Sequence, residues 1–205
     1  MNDLNSVYAA SATPAEFAKN YLAYLASINE RLDTEAIGRL IELLDETRKA
    51  GGTILIAGNG GSAATAAHMA VDFGMDVLKK TACDPPFRAL SLADNMGLIT
   101  AIANDEGYEN VFVNQLRIHW RAGDLLLVIS ASGNSPNIVD AMRWVHERGG
   151  KVAALSGFDG GIIAEEADEV VVARTPKGEY GPVEDVHMIL DHLIASWFLY
   201  RLRCE

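Results

Sequence analysis

The sequence predicts an α/β fold of three layers, in which a parallel sheet lies between two layers of helices. Short, almost continuous apolar segments, typical of strands buried on both faces, alternate with segments whose apolar residues recur at helical spacing. Such regular alternation indicates βαβ units, which place their strands in parallel. The chain has 205 residues, of which 49% are hydrophobic and 22% charged, enough for one such domain with a substantial core.

The first fifty residues are predicted to form two helices, over 14–29 and 34–50. In the first helix Leu22, Leu25 and Ile28 recur at helical spacing and indicate its buried face. A pair of glycines follows the second helix and ends it.

The layered core is predicted over residues 51–205. Its strands are expected at 53–57, 87–92, 124–130, 151–156 and 169–173. Its helices are expected at 62–79, 97–103, 108–117, 136–148, 161–166 and 182–203. The chain carries no repeat and no low-complexity linker, so residues 1–205 are predicted to form a single domain.

Composition and charge exclude several classes of protein. With 17 Lys and Arg against 28 Asp and Glu, the net charge of −11 argues against a broad surface for nucleic acid or an anionic membrane. No apolar run is long enough to span a bilayer, and the N-terminus lacks the pattern of a secretory signal. Cys83 and Cys204 are far apart and have no metal-type spacing, as expected for ordinary thiols of a cytoplasmic protein.

A glycine-rich loop, 58–62 (GNGGS), follows the first predicted strand. Glycines let a ligand approach backbone N–H groups closely, and Ser62 can cap a helix whose N-terminus attracts anions. The loop therefore favours phosphate binding, although a plain turn with a helix cap is the alternative. It lacks the glycine spacing of a dinucleotide fold and the lysine of a P-loop, so no nucleotide cofactor is expected.

A second polar loop, 130–136 (SASGNSP), follows the third predicted strand. Hydroxyl groups and helix-end N–H groups together suit a phosphate dianion. A helix cap accounts for Ser135 before the proline, but not for Ser130 and Ser132, so two such loops at one sheet edge favour a phosphate site. Asn104-Asp105 could add polar groups at the same edge, or form a turn with a cap.

Two predicted helices each carry imidazole and carboxylate groups at helical spacing. His68 and Asp72 are four residues apart, and Glu184, His187, Asp191 and His192 recur along the last helix. Imidazole with carboxylate is a ligand set that suits zinc or a similar divalent ion. The alternative for either helix alone is a solvated acidic surface.

Five segments together carry a resemblance to a known family. In order they are 58–62 with His68 downstream, 103–107 (ANDEG), 129–137 (ISASGNSPN), 155–161 (LSGFDGG) and 183–192 (VEDVHMILDH). They resemble the SIS (sugar isomerase) domain family, and their order and spacing resemble its phosphoheptose isomerase branch. The resemblance covers nearly the whole chain.

The resemblance implies a flavodoxin-like sheet of five parallel strands and a homotetramer with active sites between subunits, in which the helices of residues 1–50 take part in oligomerisation. It implies a zinc site at His68, Asp72, Glu184 and His192, with Asp72 and His192 as the acid–base pair. Contacts to the sugar phosphate would come from Asn59, Gly60, Gly61, Ser62, Asn104, Asp105, Ser130, Ser132, Ser135 and Glu184.

Four residues depart from the family pattern. Asp72 stands where the family has Glu, and Glu184 where it has Gln. Ala131 replaces a Thr of the phosphate loop, and Asp76 falls where the family can have Arg. The first two changes keep a set of metal-binding side chains, whereas all four bear on which sugar is bound.

The expected activity is that of an aldose–ketose isomerase converting sedoheptulose 7-phosphate to D-glycero-D-manno-heptose 7-phosphate through an enediol. The alternatives are an isomerase of another phosphorylated ketose and a non-catalytic regulator that senses a sugar phosphate or binds a protein. A mere scaffold has no reason to keep His68, Asp72, Glu184 and His192 together, which favours the enzyme.

Overall fold

A computed structural model describes residues 3–203 and contains one five-stranded sheet. Every neighbouring pair of strands is parallel, and the spatial order of the strands is β2-β1-β3-β4-β5. The strands are β1 (Thr53–Gly58), β2 (Arg88–Ser91), β3 (Leu125–Ser130), β4 (Lys151–Gly157) and β5 (Glu169–Ala173). The predicted flavodoxin-like sheet and all five of its strands are therefore confirmed.

Helices cover both faces of the sheet. They are α1 (Leu4–Ala9), α2 (Pro14–Asn29), α3 (Thr34–Lys49), α4 (Gly61–Val71), α5 (Leu78–Thr81), α6 (Met96–Asp105), α7 (Val111–His119), α8 (Pro136–His146), α9 (Gly161–Glu166) and α10 (Tyr180–Arg201). Among the described residues, no helix combines the length and the apolar character that crossing a bilayer requires. Cys83 is half-buried, and Cys204 lies outside the described residues.

Three helical segments differ from the sequence prediction. The predicted helix 62–79 is α4 followed by a π-helical segment, Asp72–Val77, and then α5. Gly74, a weak former of α-helix, lies within the π-helical segment, while Phe73 and Val77 are both fully buried there. The predicted helix 108–117 begins with a 3-10 turn, and α1 was not predicted because one short helix carries too little periodic pattern.

The core lies on both faces of the sheet because side chains alternate along each strand. In β1, Ile54 and Ile56 enter the apolar cluster beneath α2, α3, α4 and α10, whereas Leu55 enters the cluster beneath α6, α7 and α8. All six residues of β3, the central strand, are buried. The continuous apolar runs of the sequence follow directly from this burial on two faces.

Two tyrosines of α2 attach the N-terminal helices to the start of α10. The Tyr24 hydroxyl, buried in the core, donates to a carboxylate oxygen of Glu179 at 2.5 Å, and the second oxygen of that carboxylate accepts from the Leu4 N–H at 2.6 Å. Tyr21 donates to Asp185 at 2.5 Å. Hydrogen bonds from α1 and α2 thus fix the beginning of α10.

The loop after β3 packs closely against the loop after β4. Gly133 has a φ of +64°, and a Cβ placed on it would lie 2.0 Å from the carbonyl oxygen of Gly160. The Gly133 carbonyl accepts from Ile163 N, and the Asn134 side chain accepts from Ile162 N. A Cβ on Gly161 would likewise lie 2.5 Å from the Ser132 carbonyl oxygen, so glycines of both loops allow the close docking.

Replacing Gly133 by Ala is expected to destabilise the protein more than replacing Gly51 by Ala. Gly51 has a similar φ of +73° but no heavy atom within 4 Å of an added Cβ. The left-handed conformation costs about 1–2 kcal/mol at either site. Overpacking adds roughly 1–3 kcal/mol at Gly133 alone. Urea unfolding of both variants measures the difference, and equal losses would contradict the close packing of the two loops.

Candidate functional site

The candidate site lies at the carboxyl edge of the sheet, between β1 and β3. The chain leaves β1 toward β2 on one side and returns to β3 on the other, so the strand order reverses there. Two loops diverge at such a point and leave a crevice, the usual ligand site in parallel α/β sheets. The two polar loops singled out in the sequence are these two loops.

The loop after β1 presents the uncapped start of α4. The N-cap is Gly60, with φ +55°, and no side chain bonds the first N–H groups of the helix. Ser62 was expected to cap this helix; it lies instead inside the first turn and is buried, because the helix begins one residue earlier than predicted. The unpaired N–H groups at the helix start remain available to an anion.

The loop after β3 supplies three hydroxyl groups. Ser130 Oγ accepts from Gly133 N at 3.2 Å, and Ser132 Oγ accepts from Asn134 N at 3.3 Å, so both fix the turn. Ser135 occupies the N-cap of α8, yet its side chain makes no cap hydrogen bond. A helix cap therefore does not account for the Ser135 hydroxyl, contrary to the interpretation from sequence.

These loops enclose a pocket of about 270 Å³. None of the described residues that line it is Lys or Arg, so anion binding there depends on N–H groups, hydroxyls and helix N-termini. Asn104 and Asp105, predicted to contact substrate, lie exposed at the end of α6 and bond each other at 2.7 Å, outside this lining. The lining residues are Asn59, Gly60, Gly61, Ser62, Ile129, Ser130, Ala131, Ser132, Ser135, Tyr180 and Glu184.

Asn59 joins the two loops through a pair of amides. Its Nδ2 donates to Asn137 Oδ1 at 2.9 Å, and its Oδ1 accepts from Asn137 Nδ2 at 3.0 Å. Tyr108 also donates to the same Oδ1, at 2.9 Å. Sequence reasoning missed Asn137 and Tyr108; the one signal was an asparagine directly after the proline that opens α8.

Glu184 reaches the pocket from α10. A Cβ placed on Gly61 would lie 2.3 Å from the Glu184 carboxyl carbon, so the carboxylate covers the first residue of α4. A carboxylate at a helix N-terminus is favourable. The sequence assigned Glu184 both to substrate and to metal, and the structure places it in the pocket lining.

A second group of side chains lies farther along α4, at the start of the π-helical segment that follows it, and farther along α10. His68, Asp72, Asp191 and His192 place one ligand atom each within 4.8 Å of one another. His68 Nε2 is 3.2 Å from His192 Nε2, 3.5 Å from Asp72 Oδ2 and 3.9 Å from Asp191 Oδ2. Glu184 is not one of the four, and Asp191, not assigned from sequence, takes part.

This cluster fits a divalent cation. Around a four-coordinate ion with metal–ligand distances of about 2.0–2.1 Å, the ligand atoms lie about 3.3–3.4 Å apart. The two imidazole nitrogens are at nearly this separation, and both Asp191 carboxylate oxygens are buried without a hydrogen-bond partner. A buried carboxylate without a partner is costly, and a cation between these groups would satisfy it.

Burial and the nearby Asp72 carboxylate raise the pKa of Asp191 to about 7.

His187, one turn earlier on α10, has a pKa shifted in the opposite direction. Its ring is fully buried, with Nε2 3.0 Å from the Ser156 carbonyl oxygen, and burial lowers its pKa to about 4. His187 is thus a neutral core residue that joins α10 to β4, separate from the cluster.

Asp76, where the family can have Arg, lies on the π-helical segment. It forms an ion pair with Lys80 at 2.7 Å and does not line the pocket. Ala131 does line it and is buried. Of the four departures from the family pattern, three therefore fall in the pocket or the cluster and one on a separate ion pair.

The SIS domain family model matches residues 16–157 of the chain. The phosphoheptose isomerase of Chlorobaculum parvum is 37% identical over 177 residues, which cover 86% of this chain and 83% of that protein. Two solved structures are also similar. Phosphoheptose isomerase GmhA from Neisseria gonorrhoeae has a TM-score of 0.80 and 33% identity, covering 91% of this chain and 98% of that one. A phosphoheptose isomerase from Francisella tularensis has a TM-score of 0.77 and 25% identity, covering 92% and 99%.

We expect Asp191 to make the metal-free protein less stable as pH rises. Its folded pKa lies above the unfolded value, so its stabilisation is complete below about pH 4 and is lost as pH rises through about 7. A shift from 3.8 to about 7 corresponds to roughly 4 kcal/mol at 1.36 kcal/mol per unit.

The measurement is the free energy of unfolding of the wild type and of Asp191→Asn, in a chelator, from pH 4 to pH 8. His187 acts in the opposite sense, because its depressed pKa removes stability as pH falls from 6.5 toward 4. Both proteins contain His187, so its contribution cancels in the difference between their free energies of unfolding. A difference that does not change with pH would disprove the expected effect of Asp191.

Proposed function

This chain belongs to the SIS domain family, in its phosphoheptose isomerase branch, and from that premise we propose that it converts sedoheptulose 7-phosphate to D-glycero-D-manno-heptose 7-phosphate. The observation that carries the proposal is the separation between the pocket and the cluster of His68, Asp72, Asp191 and His192. The phosphate-type pocket lies where α4 begins, and His68 lies seven residues farther along the helix. At 1.5 Å per residue the separation is about 10 Å, a length that an extended sugar phosphate can bridge.

The pocket would hold the phosphate and leave the carbonyl end of the sugar at the cluster. Ser135 Oγ and the N–H groups at the start of α4 would be the anion donors, since α8 begins with a proline that has no N–H. Asn59 is fixed by Asn137 and Tyr108, so its loop presents these donors in one arrangement. Binding and orientation by these groups would hold the carbonyl end beside the acid–base pair, so that proton transfer between sugar and enzyme becomes effectively unimolecular.

Asp72 and His192 would move the proton. One takes it from the carbon next to the carbonyl, an enediol forms, and the other returns a proton to the neighbouring carbon. Asp72 is half-buried and His192 exposed at the mouth of the cluster, so both can reach a substrate. The second carboxylate oxygen of Asp72 and the second ring nitrogen of His192 would remain for this transfer when the cluster holds zinc, which would polarise the carbonyl. Asp72 is one methylene shorter than the Glu of the family, and the close packing of α4 on α10 supports its use.

Incubation of the purified protein with sedoheptulose 7-phosphate, followed by NMR, tests the activity. Appearance of the aldoheptose 7-phosphate supports the proposal. Absence of conversion with protection against thermal unfolding would favour another phosphorylated ketose or a sensing role. Absence of both would overturn the proposal.

His192→Ala is expected to lower kcat by about 10²–10⁴-fold, because general acid–base catalysis contributes that much. His146→Ala is the matched control, since its ring contacts Asp168 and does not line the pocket. Turnover is followed by NMR, and thermal unfolding checks that both variants fold. Full activity in His192→Ala would rule out its role in proton transfer.

A homotetramer belongs to the same proposal. One side of α10 exposes Ile189, Leu193, Trp197 and Tyr200 at helical spacing, and Met75 is exposed on the segment that packs against it. Apolar patches of this kind are typical of interfaces. His192 lies within the same stretch of α10, so a second copy would complete the site there, and the helices of residues 1–50 would extend the interface. A cytoplasmic location is proposed from the two cysteines, which are far apart in sequence and are expected to be free thiols.

Trp197→Glu is expected to dissociate the oligomer, because a charge in an apolar interface is costly. Ile118→Glu on α7 is the control, since Ile118 is 53% exposed and Trp197 52%. Size-exclusion chromatography with light scattering gives the mass of each variant. An unchanged mass for Trp197→Glu, or a monomeric wild type, would contradict the proposed interface.

A further inference from the structure

We propose that Asp191 is a direct ligand of the divalent ion, together with His68, Asp72 and His192, and that Glu184 belongs to the substrate pocket and not to the metal. The inference rests on the ion of the proposed function. The resemblance assigned the fourth ligand to Glu184, and the sequence offered no reason to prefer Asp191, which adjoins His192.

The first reason is the state of the Asp191 side chain. It is fully buried, with an exposure of 0%, and neither carboxylate oxygen has a hydrogen-bond partner. Buried carboxylates are normally paired, hydrogen-bonded or bound to metal. Among the described residues, the groups that Asp191 faces across the cluster are His68 Nε2, at 3.9 Å, and the Asp72 carboxylate, which repels it. A cation is the partner that would satisfy all of them.

The second reason is the direction of approach. Asp191 and His192 are neighbours on α10, so their side chains leave the helix about 100° apart. His192 is exposed and Asp191 buried, so the two would hold an ion from its solvent side and its core side. His68 from α4 and Asp72 from the start of the π-helical segment approach from the opposite side, and the four ligand atoms lie within 4.8 Å of one another.

The third reason is the position of Glu184. Its carboxylate covers Gly61 at the start of α4, whereas His68 lies two turns farther along that helix. Glu184 is also two turns before His192 on α10. In the pocket, which lacks Lys and Arg among its described lining residues, this carboxylate lies where it would repel a bound phosphate.

The test compares Asp191→Asn with the matched variant Glu184→Gln, both of which remove one charge and keep the shape of the side chain. The probe is Zn²⁺ alone, with its Kd measured by competition against a chromophoric chelator. Asp191→Asn is expected to weaken Zn²⁺ binding about 100-fold or more, because even outer-shell partners contribute 10–100-fold. Glu184→Gln is expected to weaken Zn²⁺ binding by less than about 10-fold, the lower bound for an outer-shell partner, because Glu184 lies two turns from His192.

A second probe separates a ligand from a supporting residue. Loss of a ligand changes the visible absorption spectrum of bound Co²⁺, so Asp191→Asn should alter the spectrum and Glu184→Gln should not. Glu184→Gln should instead bind inorganic phosphate more tightly than wild type. Circular dichroism confirms that both variants are folded, and Asp191→Asn, which removes an unpaired buried charge, is expected to fold.

Three results would overturn the inference: Zn²⁺ affinity and the Co²⁺ spectrum unchanged in Asp191→Asn, both properties lost in Glu184→Gln, or a wild type that binds neither metal. None of these measurements involves turnover. Conversion of sedoheptulose 7-phosphate is measured separately, so failure of the isomerase proposal and failure of the ligand assignment remain distinct.

Discussion

The close packing of α4 against α10 is the contact on which both parts of the site depend. Five of the eleven residues of α4 are alanine, and Ala66 is fully buried. Small side chains let two helices approach closely, since the distance between their axes is set by the residues at the contact. The Asp72 and Asp191 side chains have only one methylene group each. Their carboxylates can therefore approach one another only if the backbones of the two segments lie close together. The same contact brings Glu184 onto Gly61, where no side chain intervenes.

The electrostatics of the site are local and differ from those of the whole chain. The protein carries a net charge of −11, yet the pocket is lined by serine hydroxyls and the glycine-rich start of α4, groups that suit an anion. Backbone N–H groups, hydroxyls and helix N-termini act over short distances and are little affected by distant surface charge. The cluster two turns away has the opposite requirement, because two carboxylates and two imidazoles gather negative charge and lone pairs around one point. The same pair of helices thus carries donor groups that suit an anion at one end and side chains that suit a cation two turns away.

Much of this arrangement could be predicted from the sequence because its signals are local. Apolar runs fix the strands, and the glycine and serine loops follow strands that turn out to be neighbours. His68, Asp72 and His192 could be singled out because imidazole and carboxylate recur at helical spacing, and the resemblance named them as ligands. Asp191 was not assigned, because it adjoins His192 and points to another side of the helix, and only the packing of α10 makes that side the interior. The π-helical segment and the pairing of Asn59 with Asn137 are likewise set by tertiary contacts, for which one sequence carries little pattern.

The attachment of α1 and α2 to α10 has a mechanical consequence. Tyr24 and the Leu4 N–H hold Glu179, and Tyr21 holds Asp185, so the bonds fall on either side of Tyr180 and Glu184, which line the pocket. The described side chains of these helices do not line the pocket. The helices instead hold in place the part of α10 that forms one wall of the pocket. A displacement of α2 relative to the sheet is transmitted through these bonds to the place where the sugar phosphate would enter.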